Sequence, residues 1–301
     1  CYNARFIKPR HSPLNKLVIF GVGLIGGSVA LALKQSQAVR HIVGIGRDGD
    51  HLQAALDLGV IDEAQTSVAS ALDQADMVLI AAPVAQTLAI LQGIAPHLAS
   101  STIVTDAGST KSDIVGYAQH ALGDRYLQFV PGHPIAGAEK SGVTAARADL
   151  FQNRNVVLTP FEQTAAPDIA RVQTMWEACG AHVTTMTAAQ HDRIFAAVSH
   201  LPHLLAFALV NELASRPNAD QLFDFAASGF RDFSRIAGSH PEMWRDISLA
   251  NQAALLEELN AYQVQLSHVR ELLQQQDGAG LQQLFERASH ARNAWARHKK
   301  Y

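Results

Sequence analysis

Between residues 16 and 130 the chain alternates short apolar runs with segments of helical period. Strands are expected near 17–20, 41–45, 77–81, 102–105 and 127–130, and helices near 25–36, 50–58, 84–96 and 110–121. Such alternation predicts a parallel sheet covered on both faces. Two further strands are expected over 155–159 and 182–186, with a helix between them over 165–179. From about Thr187 the pattern becomes helical throughout. Ile194, Phe195, Val198, Leu201, Leu205, Ala208 and Leu209 keep helical spacing to about residue 214. Ile247, Ala254, Leu255, Leu259, Tyr262, Leu266, Val269 and Leu273 form the stripe of one long helix over 241–275. A last helix follows Gly278 and Gly280 to about Arg297. The expected organisation is an N-terminal extension (1–15), an α/β dinucleotide-binding domain of Rossmann type (16–186) and an all-α domain (187–301). Long apolar stripes in the helical half predict burial within it and against a second copy, hence a homodimer.

The first strand runs straight into Gly21-Val22-Gly23-Leu24-Ile25-Gly26, and a helical run follows. Strand, Gly-x-Gly-x-x-Gly, helix is the context in which glycines cradle a dinucleotide. Gly21 permits the tight turn, Gly23 lets the pyrophosphate approach the backbone, and Gly26 lets helix and strand pack closely. The amides that open the helix, around Leu24 and Ile25, then face the phosphates along the helix dipole. The residue closing the second strand selects the cofactor: an acid bonds the ribose of NAD, a base accommodates the 2′-phosphate of NADP. Here the acidic place falls on Gly46 and Arg47 follows, which favours NADP over NAD. Asp48, two residues beyond, is the residue that would restore an NAD-type acid.

Composition narrows the partners. A net charge of −3 provides no basic face for nucleic acid. No apolar run is expected to reach bilayer length and no signal-peptide pattern is present, so a cytoplasmic protein is expected. Cys1 and Cys179 make neither a disulfide framework nor a metal site, and no metal is expected. The basic, aperiodic stretch 1–15 is set apart from the fold, and its opening on Cys1 is expected to reflect a trimmed end.

Several segments carry candidate chemistry. In Gly132-His133-Pro134 an imidazole sits on a stiff turn. Gly132 admits backbone angles closed to other residues, and Pro134 restricts the residue before it. Histidine titrates nearest neutrality and can take and return a proton. Ser109, in Asp106-Ala107-Gly108-Ser109-Thr110-Lys111, falls at a strand end and helix start, where it either caps the helix or orients His133. Ser199-His200-Leu201-Pro202-His203 puts two histidines three residues apart, open to core, substrate or metal readings. Arg231, in Gly229-Phe230-Arg231-Asp232-Phe233, suits a two-pronged grip on a carboxylate or a salt bridge to Asp232 or Asp224.

Together these segments, with Gly137-Ala138-Glu139-Lys140-Ser141-Gly142 and Pro241-Glu242-Met243-Trp244-Arg245-Asp246, resemble the prephenate/arogenate (cyclohexadienyl) dehydrogenase family, in order over about 16–297. The resemblance implies oxidative decarboxylation of a cyclohexadienol with NAD(P), the step leading to tyrosine. It implies that His133 takes the ring hydroxyl proton, that Ser109 bonds this histidine and helps place the nicotinamide, and that Arg231 holds a substrate carboxylate. It places His203 and Glu139 along the substrate site. Gly46-Arg47 departs from the acidic end of NAD-using members.

Two other readings compete. A β-hydroxyacid dehydrogenase would draw its acid/base from a lysine in the helical half, but no lysine lies between Lys140 and Lys299. A non-catalytic NAD(P)-sensing regulator would need a docking or DNA-reading module that the net acidity disfavours.

Overall fold

The computed structural model describes residues 13–46, 49–138 and 140–298. The first apolar run forms β1 (Leu14–Phe20), and the glycine loop leads into α1 (Leu24–Gln35). There follow β2 (Val39–Ile45), α2 (Gly49–Asp57), β3 (Glu63–Gln65), α3 (Val68–Leu72), β4 (Met77–Ile80), α4 (Thr87–Ile94), β5 (Ile103–Asp106), α5 (Ser112–Leu122) and β6 (Phe129–Val130). The six strands are parallel in the order β3-β2-β1-β4-β5-β6. Reversal of strand order beside β1 opens the crevice at the strands' carboxyl ends where such sheets bind dinucleotides. The central strands read as unbroken apolar runs because both faces are covered: Leu17, Val18, Ile19, Met77, Val78 and Leu79 are all fully buried.

At Pro131 the chain leaves this sheet. β7 (Gly132–Pro134) pairs antiparallel with β8 (Asn155–Leu158), with His133 opposite Val157. After α6 (Ala166–Ala178), β9 (His182–Thr185) adds in parallel to β8. The expected strands and helices of this half are present. The periodicity did not reveal β3 or β7, which at three residues each are too short to show a period. β1 also begins three residues before its expected start, because Leu14 pairs with Val39.

The helical half consists of α7 (Ala188–Phe195), a π-helical turn (Ala196–His200), α8 (Leu201–Ala214), α9 (Ala219–Asp224), α10 (Ser228–Ser234), α11 (Pro241–Ala250), α12 (Gln252–Gln274) and α13 (Gly278–His298). Two expectations need correction here. The single helix over 241–275 is two helices, because Asn251 leaves helical geometry (φ −106°, ψ 33°). Its side chain is committed elsewhere, donating to the Asp192 carbonyl. The apolar stripe 194–209 does not lie on one buried face either: Phe195 and Leu201 are buried, whereas Ile194, Val198 and Leu209 are exposed. Inward positions are instead occupied by His191, Asp192 and His200, all buried.

The run Ala188–Ala214 also overturns the expectation that nothing reaches bilayer length. Its mean hydropathy of 1.6 over a membrane-length window makes it long and apolar enough to cross one, and only 28% of that window is buried. The compact units divide between Gln252 and Ala253. In the second unit, Leu255 and Leu272 are the only buried residues of α12 and α13 among those described, and Val264, Leu266, Leu273, Phe285 and Trp295 are exposed.

Candidate active site

The glycine loop separates packing from ligand space. Gly21 has φ +90°, and a Cβ there would lie 2.8 Å from the Ala81 carbonyl oxygen. A Cβ on Gly26 would come within 2.3 Å of the Gly21 oxygen. Both are glycines for reasons internal to the fold. Gly23 is different: it is the N-cap of α1, has negative φ (−96°), and a Cβ there would meet nothing within 4 Å. No described side chain caps α1, and no acid lies in its first turn. Open space over Gly23, with the amide ends of Leu24 and Ile25 beside it, fits a pyrophosphate. Gly46 follows β2, and a Cβ there would make ordinary 3.5 Å contact with Leu52. Arg47 and Asp48 lie outside the described residues.

At the end of β5 a fully buried ion pair organises the turn that carries His133. Asp106 pairs with the Lys111 ammonium, and their side chains are 1% and 0% exposed. Lys111 Nζ also donates to the Gly132 carbonyl at 2.8 Å. Asp106 accepts from the Gly132 amide (3.0 Å) and the Gly108 amide (2.8 Å). Gly132 is therefore gripped at both its N–H and its C=O. Its φ is not positive, contrary to the freedom the sequence suggested. Close approach is what demands glycine here, since a Cβ would stand 3.0 Å from the Asp106 carbonyl oxygen.

One residue on, the half-buried His133 ring reaches the helical half. Its Nδ1 lies 2.8 Å from His191 Nε2, and His191 Nδ1 lies 2.8 Å from Asp192 Oδ1. Phe195 meets both rings, with centroids 5.0 Å from His133 and 4.5 Å from His191. Asp192 in turn accepts from the amides of Lys111 (2.9 Å) and Ser112 (2.8 Å). These amides open α5, so a carboxylate from α7 caps a helix of the nucleotide half.

The remaining candidates spread outward from this line. Asn251 Nδ2 donates to the Asp192 carbonyl at 2.8 Å and lies 3.1 Å from His200 Nδ1. His200 meets the edge of Trp244, and His203 stacks on the same indole at 3.6 Å between centroids. His203 Nδ1 is 2.8 Å from the Ser199 carbonyl. The π-helical turn ends at His200, and the three-residue spacing to His203 on the helix that follows puts both histidines on the face that meets Trp244. The buried Trp244 Nε1 has no hydrogen-bond partner among the described residues. Arg231 is exposed on α10 and makes no ion pair with Asp224, Asp232 or any other described residue. Ser109 is half-buried and is not the helix cap, a position held by Lys111. No hydrogen bond joins Ser109 to His133 among the described residues. Glu139 lies outside them. Among the described residues no group of three or more His, Cys, Asp or Glu is placed to hold a metal.

Burial keeps the histidines neutral. Desolvation, with Lys111 and the neighbouring His191 and His200 disfavouring a further cation, pushes His133 well below the usual imidazole range. His191 is lowered by burial against the opposing pull of Asp192. Burial lowers His200 to about 4. For Asp192, burial works to raise the pKa, but hydrogen bonds from His191, Ser112 and Lys111 outweigh it and keep the carboxylate ionised.

Sequence reasoning missed His191, Asp192, Asn251 and the Asp106–Lys111 pair. The signal for the first two was adjacent ionisable residues within an apolar helix, just after the Thr187–Gln190 capping box. Asn251 was hidden by an unbroken apolar stripe.

Comparison with known proteins gives a consistent result. The family model described as "Prephenate dehydrogenase, nucleotide-binding domain" matches residues 29–185. A second, "Prephenate dehydrogenase, dimerization domain", matches residues 187–287. Prephenate dehydrogenase of Bacillus subtilis is 39% identical over 92% of this chain and 75% of its own. Cyclohexadienyl dehydrogenase of Zymomonas mobilis is 34% identical over 92% of this chain and 95% of its own. Among solved structures, Aquifex aeolicus prephenate dehydrogenase in complex with hydroxyphenyl propionate and NAD+ superposes with a TM-score of 0.88. It is 37% identical over 93% of this chain and 98% of its own. Synechocystis arogenate dehydrogenase gives 0.79 at 31% identity, over 93% and 99%.

The neutral histidines make stability depend on pH. A buried histidine with a depressed pKa favours the fold fully above the unfolded value of 6.5, and this is lost as pH falls through the folded value. His200 alone, going from 6.5 to about 4, should withdraw about 3 kcal/mol over that window. Urea unfolding should therefore show a lower midpoint at pH 4.5 than at pH 7.5, and the gap should narrow in His200→Asn. A midpoint flat between these pH values would contradict neutral burial.

Proposed function

The chain belongs to the prephenate dehydrogenase family, and from that membership we propose how its own residues perform the family's reaction. It is an NAD(P)-dependent oxidoreductase of tyrosine biosynthesis that oxidatively decarboxylates prephenate, arogenate or both. The bound nicotinamide supplies the hydride acceptor. The observation that carries the reading is a half-buried, neutral His133 held at the carboxyl ends of the strands, alongside the open glycine cradle.

His133 Nε2 takes the proton of the ring hydroxyl as the carbon bearing it gives up hydride. With that proton gone the ring carboxylate departs as CO2, and the gain of aromaticity makes the step irreversible. Ser109, in the loop after β5, helps place the nicotinamide. Arg231 holds a substrate carboxylate with a guanidinium that no described residue engages. His203, stacked on Trp244, and Glu139 line the same site. Such positioning is the protein's main contribution, since the cofactor carries the redox chemistry. Homodimerisation through the helical half covers the outward apolar positions of α7 and α8 and the exposed residues of α12 and α13. Support comes from that exposure and from the match to a dimerization domain.

Gly23, Leu24 and Ile25 hold the pyrophosphate on a turn that Gly21 and Gly26 shape by close packing, and Arg47 meets the 2′-phosphate of NADP. Gly46 leaves no carboxylate to repel that phosphate, and a guanidinium–phosphate contact is charge-assisted.

With either substrate, His133→Asn should lower kcat roughly 100-fold or more, the scale of a positioned acid/base, and leave cofactor affinity unchanged. Near-wild-type kcat in that variant would remove His133 from the mechanism. For the cofactor, kcat/KM should be higher with NADP than with NAD. Arg47→Ala should cut NADP efficiency alone, and Gly46→Asp should move preference toward NAD. A clear NAD preference in the unmodified protein would assign ribose reading to Asp48.

A further inference from the structure

We propose that His191, anchored by Asp192, is a positioning residue that fixes the tautomer of His133 and steadies its cation during turnover. This rests on the reading of His133 as the base. Donors and acceptors along the line fix where each proton sits. Asp192 already accepts two backbone amides, from Lys111 and Ser112, and it contacts His191 Nδ1. A carboxylate that accepts amides and stays ionised has no proton to give, so His191 carries its proton on Nδ1. A neutral His191 then presents a bare lone pair at Nε2, 2.8 Å from His133 Nδ1. That contact is a hydrogen bond only if His133 Nδ1 is the donor. His133 must therefore hold its proton on Nδ1 and leave Nε2 free, which is the nitrogen needed to take the hydroxyl proton.

The same line acts after proton transfer. The hydroxyl O–H bond breaks and an N–H bond forms at His133 Nε2. The imidazolium so formed keeps its Nδ1–H pointed at the His191 lone pair, and its charge faces the Asp192 carboxylate one imidazole away. Other groups bear on the two rings: Lys111 after β5 and His200 on the π-helical turn act on His133, and Lys111 and Asp106 act on His191. Lys111 is neutralised by Asp106 and opposes the cation, so the His191–Asp192 pair is the stabilising partner. Phe195 packs on both rings and holds them in register.

Two measurements on the full-length protein test this. Long-range proton–nitrogen spectra of nitrogen-15 histidine-labelled protein at pH 7.5, assigned with His133→Asn, report the tautomer. The expected pattern is a protonated Nδ1 and a bare Nε2; a protonated Nε2 overturns the proposal without reference to activity. The second is the pH profile of kcat. His191→Leu, which leaves His133 Nδ1 without an acceptor, should lower plateau kcat about tenfold or more and move the acid limb to lower pH, with KM for substrate and cofactor within about twofold. His191→Gln can return an acceptor oxygen near the lost Nε2 and should recover most of the loss. An unmoved acid limb in His191→Leu overturns the proposal whatever its kcat, because a merely structural role would lower activity without shifting the titration. Near-wild-type kcat in His133→Asn removes the base itself, and with it this proposal. An inactive His133→Asn beside an unmoved His191→Leu limb overturns the proposal alone.

Discussion

A lysine ammonium with no exposure to water is the constraint on which the site depends. Lys111 is paired with Asp106, and the two grip Gly132 at its carbonyl and its amide. A buried charge whose partner is removed costs on the order of 3–5 kcal/mol, so this arrangement tolerates little drift. It ties the end of β5 to the point where the chain leaves one sheet for the other, and the residue presented there is His133. The grip also reaches the helical half, because the Lys111 amide is one of the donors that hold Asp192. Nucleotide half and histidine line are thus located by the same short loop.

The helix from Ala188 shows how the site shapes the chain around it. In an ordinary amphipathic helix the apolar stripe faces inward. Here His191, Asp192 and His200 take inward places, and Ile194, Val198 and Leu209 are left outside. Polar groups inside are stable because each has a partner in the line from His133 to Asn251. Apolar groups outside need a cover, which the proposed second copy provides.

Much of this was legible in the sequence, for reasons that differ by element. The six-stranded sheet was readable because strands buried on both faces appear as unbroken apolar runs. The glycine loop was readable because steric demands at Gly21 and Gly26 leave few alternatives to glycine. His133 was legible as an aimed imidazole, but what aims it was not: the Asp106–Lys111 pair looks like two ordinary polar residues until β5 and β7 come together. His191 and Asp192 fall in a stretch whose period suggested only a helix. Asn251 interrupts a stripe that would otherwise continue, and only its bonds to Asp192 and His200 explain the break. Tertiary hydrogen bonds between residues 59 to 81 positions apart leave no local signature.

The central claim is that the Lys111 ammonium presents His133 for proton transfer. The most direct test is kcat of Lys111→Met, measured at saturating substrate and cofactor on protein shown to be folded by circular dichroism. Methionine keeps the length and apolar stem but removes every side-chain N–H, leaving the backbone amide that holds Asp192. The account predicts that kcat falls roughly 100-fold, close to the loss of the base itself, while cofactor affinity stays within about twofold. A folded Lys111→Met protein with kcat near that of the unmodified enzyme would contradict it.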